Sequence, residues 1–151
     1  MLAIGAGILA LDQGSKFLMA EWLGREASQH RVDVIESWVG FEYVENTGAA
    51  FGMLSGRPWL VSILAVVVAV MFVTVFREVL PTDAGVRWCV AFILAGAIGN
   101  MIDRARIGYV VDFVAVGAWP RFNIADSSIT VGLVLMIVSA FGIAHEKDDP
   151  A

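Results

Sequence analysis

Residues 58–76 read PWLVSILAVVVAVMFVTVF, nineteen positions without a charge. As a helix the stretch is about 28 Å long at ~1.5 Å per residue, enough to cross the hydrocarbon of a bilayer once. Trp59 stands at one end as an interfacial anchor, and Arg77, Glu78 and Pro81 close the other. The composition of the whole chain agrees. Of 151 residues 58% are hydrophobic and 17% are charged, and mean hydropathy is +0.75. With glycine counted, about two-thirds of the chain is apolar, against about 45–50% in soluble domains. A water-facing shell around such a core cannot be built from so few charges, which places the chain in a membrane as a single domain over 1–151.

Three further spans are read outward from this one. Trp88 to Ile102 is uncharged and holds Ala95, Gly96, Ala97 and Gly99, small residues that let helices approach closely in lipid. Ser127 to Ala144 is uncharged and ends in a polar tail. Met1 to about Trp22 is apolar except for Asp12, Gln13, Ser15 and Lys16. It resembles a signal peptide superficially but is read as retained, and the eleven residues before Asp12 suggest a start trimmed at one end. The expected architecture is an all-α membrane protein with four transmembrane helices, at about 1–22, 58–76, 87–103 and 125–145. Both termini then share one side, and segments 23–57 and 104–124 share the other. Loose alternation from Arg31 to Tyr43 predicts short strands, hence a small sheet lying on the membrane surface.

The composition also excludes function classes. A net charge of −5 and ten scattered Lys and Arg argue against nucleic acid as a partner. Cys89 is the one cysteine, and His30 and His145 fall at opposite faces, so no metal site is expected. No Gly-x-Ser-x-Gly elbow supports a serine nucleophile.

What demands a reason is the set of polar groups within or beside spans, where an ionisable residue at mid-helix costs on the order of 2.5–3.5 kcal/mol. The set is Asp12, Lys16, Asn46, Asn100, Asp103, Arg104, Asp112, Asn123 and Asp126. Asp12 and Lys16, four apart, share a helix face and pair, either merely neutralising each other or serving a site. Asn100 and Arg104 share the same spacing, so both point toward one cavity unless Arg104 snorkels. Asp112 lies among Val110, Val111, Phe113 and Val114, where desolvation raises a carboxyl pKa. For Asp126, three residues after Asn123, capping and catalysis are both open. Two carboxyls at one depth in a dry site suit acid–base proteolysis, one protonated and one a base, titrating as a unit. A proton-coupled transporter or channel subunit is the alternative, since acids inside bundles also mark proton relays, and a noncatalytic scaffold is a third reading.

Together these residues resemble the lipoprotein signal peptidase (signal peptidase II) family. The motifs, in the family's order, are Asp12-Gln13-Gly14-Ser15-Lys16, Glu45-Asn46-Thr47-Gly48-Ala49-Ala50-Phe51-Gly52, Gly96-Ala97-Ile98-Gly99-Asn100-Met101-Ile102-Asp103-Arg104, Gly108-Tyr109-Val110-Val111-Asp112-Phe113 and Phe122-Asn123-Ile124-Ala125-Asp126-Ser127. Ala95 stands where the family commonly has a glycine. The resemblance implies an intramembrane aspartic endopeptidase of the bacterial inner membrane, without a cofactor. It implies cleavage of diacylglyceryl-modified prolipoproteins on the amino side of the lipobox cysteine, inhibition by cyclic peptides, and a site beside membrane lipid on the extracytoplasmic face. Asp112 and Asp126 match the catalytic pair. Asp12, Lys16, Asn46, Gly48, Asn100, Arg104 and Asn123 match positions that shape the site, with Asn46 and Arg104 near the substrate backbone. A monomer is expected. The family places both termini in the cytoplasm, whereas charge alone, with three basic residues on the termini's side against six opposite, places them outside.

Overall fold

The computed structural model describes residues 1–24, 31–48 and 84–147, and between the last two the positions Ile63, Val67, Val68, Val70, Met71 and Thr74, all helical. The elements are helix α1 (Leu2–Leu23), strands β1 (Arg31–Ile35) and β2 (Val39–Asn46), helix α2 (Ala84–Ile107), strand β3 (Val110–Val116) and helix α3 (Ile124–Lys147). The expected span at 58–76, with Trp59 and Arg77 at its ends, lies outside the described residues apart from those helical positions. The same holds for Ala49-Ala50-Phe51-Gly52 of the second motif.

The helices join as lipid demands. A Cβ on Gly96 of α2 would collide with the carbonyl oxygen of Ala125 on α3, and one on Gly132 of α3 would sit 2.9 Å from the carbonyl oxygen of Cys89 on α2. Each helix therefore presents a glycine where the other's backbone arrives, and Ala95 is buried beside that seam. Val86, Cys89, Ile93 and Met136 form the apolar core of the pair. Ser128 adds an interhelical hydrogen bond of 2.7 Å to the carbonyl of Phe92.

Helix α1 has its polarity inside out. Its buried residues are Asp12, Lys16 and Leu23, whereas Leu11, Phe17 and Leu18 are more than 60% exposed. Water would reverse that arrangement, and a bilayer rewards it. Among the described residues, Gly85–Ile107 is the helix both long and apolar enough to cross a membrane, and Ile124–Ser139 is a shorter apolar helical stretch.

The sheet is antiparallel in the order β1-β2-β3. Strands over 31–43 were expected, and β1 and β2 supply them. The third strand comes from the 104–124 segment, which the alternation did not mark because four of its residues, Val110, Val111, Asp112 and Phe113, are buried in succession. The sheet rests on the end of α1, where Leu23, Tyr43 and Val111 cluster with Met19 and Ala20. A register shift between Phe41 and Val44 leaves Val44 opposite Asp112 and Asn46 opposite Val110.

Candidate active site

Three chain segments converge at the extended end of the bundle, and each delivers an asparagine. Asn46, at the end of β2, is the diagonal neighbour of Asp112 on the ladder, so the two side chains share a face. The Asn46 amide donates to Asp112 Oδ2 at 2.8 Å. Its orientation is fixed because Asn46 Oδ1 accepts the Gly48 N–H at 2.8 Å, a turn that needs the positive φ of 76° at Gly48.

Asn123 precedes α3 and is fully buried. Its Oδ1 accepts the Asp126 N–H at 2.9 Å while Asp126 Oδ2 accepts the Asn123 N–H at 3.3 Å, a reciprocal cap. The Asn123 amide donates to Asp112 Oδ1 at 2.6 Å. Asn100, on α2, donates to Asp126 Oδ1 at 2.7 Å. All four carboxyl oxygens of Asp112 and Asp126 thus receive an N–H. Of the two readings of Asp126, the cap is present and leaves room for the other: one oxygen accepts the Asn123 N–H and the second faces Asn100.

Behind this pair lies a buried ion cluster. The Lys16 ammonium is 2.9 Å from Asp12 Oδ2 and 2.8 Å from Asp103 Oδ2, and donates to Asn100 Oδ1 at 3.0 Å. Since Lys only donates, Asn100 must turn its oxygen to Lys16 and its NH₂ to Asp126. Asp12 also accepts the Ala125 N–H at 2.9 Å, pinning α1 to the start of α3. Pairing Asp12 with Lys16 is therefore structural and joined to the site at once. Arg104 sits in the last turn of α2, within electrostatic reach of Asp126, Asp112 and Asp103. Among the described residues its buried Nε has no hydrogen-bond partner.

Burial pushes the Asp112 carboxyl up to about 6; Asn46 opposes the rise, the Asp126 charge adds to it, and Asn123 and Lys16 oppose it. Asp112 is only 2% exposed, whereas Asp126 is half-buried. Asp126 borders a cleft of about 350 Å³ walled by Trp119, Phe122, Ser127, Thr130 and Val131. Ser127 and Thr130 turn their hydroxyls back onto the carbonyls of Asn123 and Asp126, both at 2.9 Å, leaving the wall apolar. Among the described residues no group of three His, Cys, Asp or Glu is placed to hold a metal.

All nine sequence-selected residues, Asp12, Lys16, Asn46, Gly48, Asn100, Arg104, Asp112, Asn123 and Asp126, gather here. Two were missed. Asp103 is costly at its position, but its spacing in the sequence points to no role. Gln13, uncharged, fell below that reasoning, yet its amide lies 2.9 Å from Asp103 Oδ1, 3.1 Å from Asp12 Oδ2 and 3.3 Å from the Gly99 carbonyl. Its position one residue after a buried acid was the available signal.

A family model described as signal peptidase (SPase) II matches residues 4–142. The lipoprotein signal peptidase of Moorella thermoacetica is 38% identical over 129 residues, 85% of this chain and 84% of that protein. That of Caldanaerobacter subterraneus subsp. tengcongensis is 40% identical over 136 residues, 89% and 91%. Two bacterial membrane enzymes solved by the in meso method are similar in fold. One, at 2.3 Å resolution, has a TM-score of 0.77 and 27% identity over 99% of this chain and 92% of that one. The other, at 1.9 Å, has a TM-score of 0.72 and 30% identity over 98% and 93%.

Proposed function

The chain belongs to the signal peptidase II family, and on that premise we propose that it is an intramembrane aspartic endopeptidase whose catalytic pair is Asp112 and Asp126. Its substrates are prolipoproteins, and the finer proposal is that they carry diacylglycerol on the lipobox cysteine and are cut on that residue's amino side. The observation that carries this reading is the shared cradle: one side chain, Asn123, touches both aspartates, donating to Asp112 and capping the backbone of Asp126.

One carboxylate of the pair takes a proton from water as the water attacks the scissile carbonyl; the protonated partner donates to the carbonyl oxygen, and a proton then passes to the leaving amine. The two titrate together, so neither role is assigned to one residue. Asp126 meets the cleft and Asp112 lies behind it, which supports substrate and water arriving from the Asp126 side. Asn46 and Arg104, whose buried Nε meets no acceptor among the described residues, are proposed to meet the peptide backbone. Cyclic peptides that mimic the substrate are proposed to compete at the same place.

The proposed setting is the bacterial inner membrane. The chain is a single domain of four spans, acting as a monomer, with both termini cytoplasmic and the sheet on the extracytoplasmic face. A lipid-anchored cysteine stays at that interface, and acyl binding remote from the reacting bond helps hold it in register. A transporter is not favoured, because the acids converge on one set of asparagines at one end of the helices.

The test is cleavage of a synthetic diacylglyceryl lipopeptide by the purified protein in detergent, beside the unlipidated peptide. Asp112→Asn and Asp126→Asn are expected to abolish turnover while lipopeptide binding persists. Turnover retained in either variant sinks the assignment.

A further inference from the structure

Asp103, on α2, is 5% exposed and meets three donors from two other elements at once. From α1, the Lys16 ammonium lies 2.8 Å from its Oδ2 and the Gln13 amide 2.9 Å from its Oδ1. From β3, the Val111 N–H donates to Oδ2 at 3.4 Å. Two of these donors, Val111 and Lys16, lead to the two aspartates. Val111 is the residue before Asp112, so Asp103 holds the strand where that side chain departs. Lys16 passes to Asn100 at 3.0 Å, and Asn100 to Asp126 at 2.7 Å.

We propose that Asp103 is a positioning residue for both aspartates, aligning Asp112 through the Val111 amide and Asp126 through Lys16 and Asn100, and that its charge sets how much of the Lys16 charge the pair feels. This rests on the aspartic peptidase reading of the same site. The charged groups around Lys16 are Asp12 on its own helix, Asp103 and Arg104 on α2, Asp112 on β3 and Asp126 on α3. Glu21 and Arg106 line the small pocket that opens beside Lys16 and Asp103. Asp12, Lys16 and Asp103 together carry one net negative charge when all are ionised. Removing Asp103 leaves the Lys16 charge neutralised by Asp12 alone, a local change of +1. Removing Lys16 is a change of −1, and removing both restores the balance although the Lys16 contacts to Asp12, Asp103 and Asn100 are gone.

Charge and contact are therefore separable. The titration of Asp112, read by carbon NMR of labelled protein in detergent micelles, should move to lower pH in Asp103→Asn and to higher pH in Lys16→Met, and return near the wild-type midpoint in the double variant. The kcat on lipopeptide should fall about tenfold or more in Asp103→Asn and stay low in the double variant, because the alignment of Asn100 and Val111 is not restored. Gln13→Leu, which removes three hydrogen bonds and no charge, should lower kcat with the Asp112 midpoint unmoved.

An Asp103→Asn protein with wild-type midpoint and wild-type kcat overturns the proposal, as does a double variant whose midpoint stays with Lys16→Met. If Asp103→Asn does not fold, the double variant still decides, since neutral side chains replacing a buried ion pair are often tolerated. The titrations need no substrate. Midpoints that move as stated in a protein that cleaves nothing would overturn the peptidase reading and leave the charge-setting role of Asp103 standing.

Discussion

At Asp112 opposing influences on one carboxyl have separable signs. Burial raises it first, the Asn46 hydrogen bond lowers it, and the Asp126 charge raises it. Deleting the Asn46 donor in Asn46→Leu should therefore move the Asp112 titration up in pH, while Asp126→Asn, which removes a negative charge, should move it down. Carbon NMR across pH 4–9 checks both, and shifts of one sign in the two variants would contradict this account. The rate follows. The pair must hold one proton, so kcat/KM falls on the acid side as the second proton binds and on the alkaline side as the last is lost. With Asp112 at about 6, the alkaline limb lies well above the ordinary carboxyl range, and Asn46→Leu should push it higher still. The aspartates, asparagines and Lys16 were legible in the sequence because each is costly in a membrane. Gln13 was not, because an amide costs less and shows its worth only through three acceptors from two helices.

At the scale of elements, the seam between α2 and α3 and the docking of α1 depend on glycines whose missing side chains leave room for particular atoms. Gly96→Ala places a methyl against the Ala125 carbonyl, and backbone on both sides leaves no cheap relaxation. A loss of about 1–3 kcal/mol is expected, seen as a lower thermal midpoint in detergent. Gly99→Ala places one 2.5 Å from Asp12 Oδ2, so it should displace the carboxylate that pins Ala125 and reduce activity more than stability. At Gly14 the same methyl meets nothing within 4 Å, and Gly14→Ala should be neutral or stabilising by about 0.5–1 kcal/mol through helix propensity. Equal midpoints for the Gly96 and Gly14 variants would refute the close-packing argument. The small-residue run marked α2 as a packing helix, but the sequence could not say which atoms each glycine admits. Likewise β3 was hidden: a strand buried on both faces has no alternation to read.

Across the whole molecule, the inverted polarity of α1 and the apolar exterior of α3, with Val134 and Val138 more than half exposed, suit a bilayer. Orientation is the open quantity, since counting charges puts the termini outside and the family puts them in the cytoplasm. A fluorescent reporter and a phosphatase that works only outside the cytoplasm, each fused to the C-terminus, decide between them. Fluorescence with a silent phosphatase is expected; an active phosphatase would favour the charge count. Several of the arginines opposite the termini are engaged locally rather than free to set topology. Arg121 pairs with Glu42 at 2.7 Å, Arg31 with Asp33 at 2.6 Å, and Arg104 faces the site acids.

The sequence by itself determined the membrane setting, the family and nine residues of the candidate site, because hydropathy and the cost of buried charge are local properties of a chain. Only the tertiary structure decided which oxygen each N–H meets, that Asn123 serves both aspartates, and that Asp103 joins three elements. Those facts depend on register and close approach between segments up to 113 positions apart, as in the hydrogen bond from Ala125 to Asp12. No local pattern encodes such a distance.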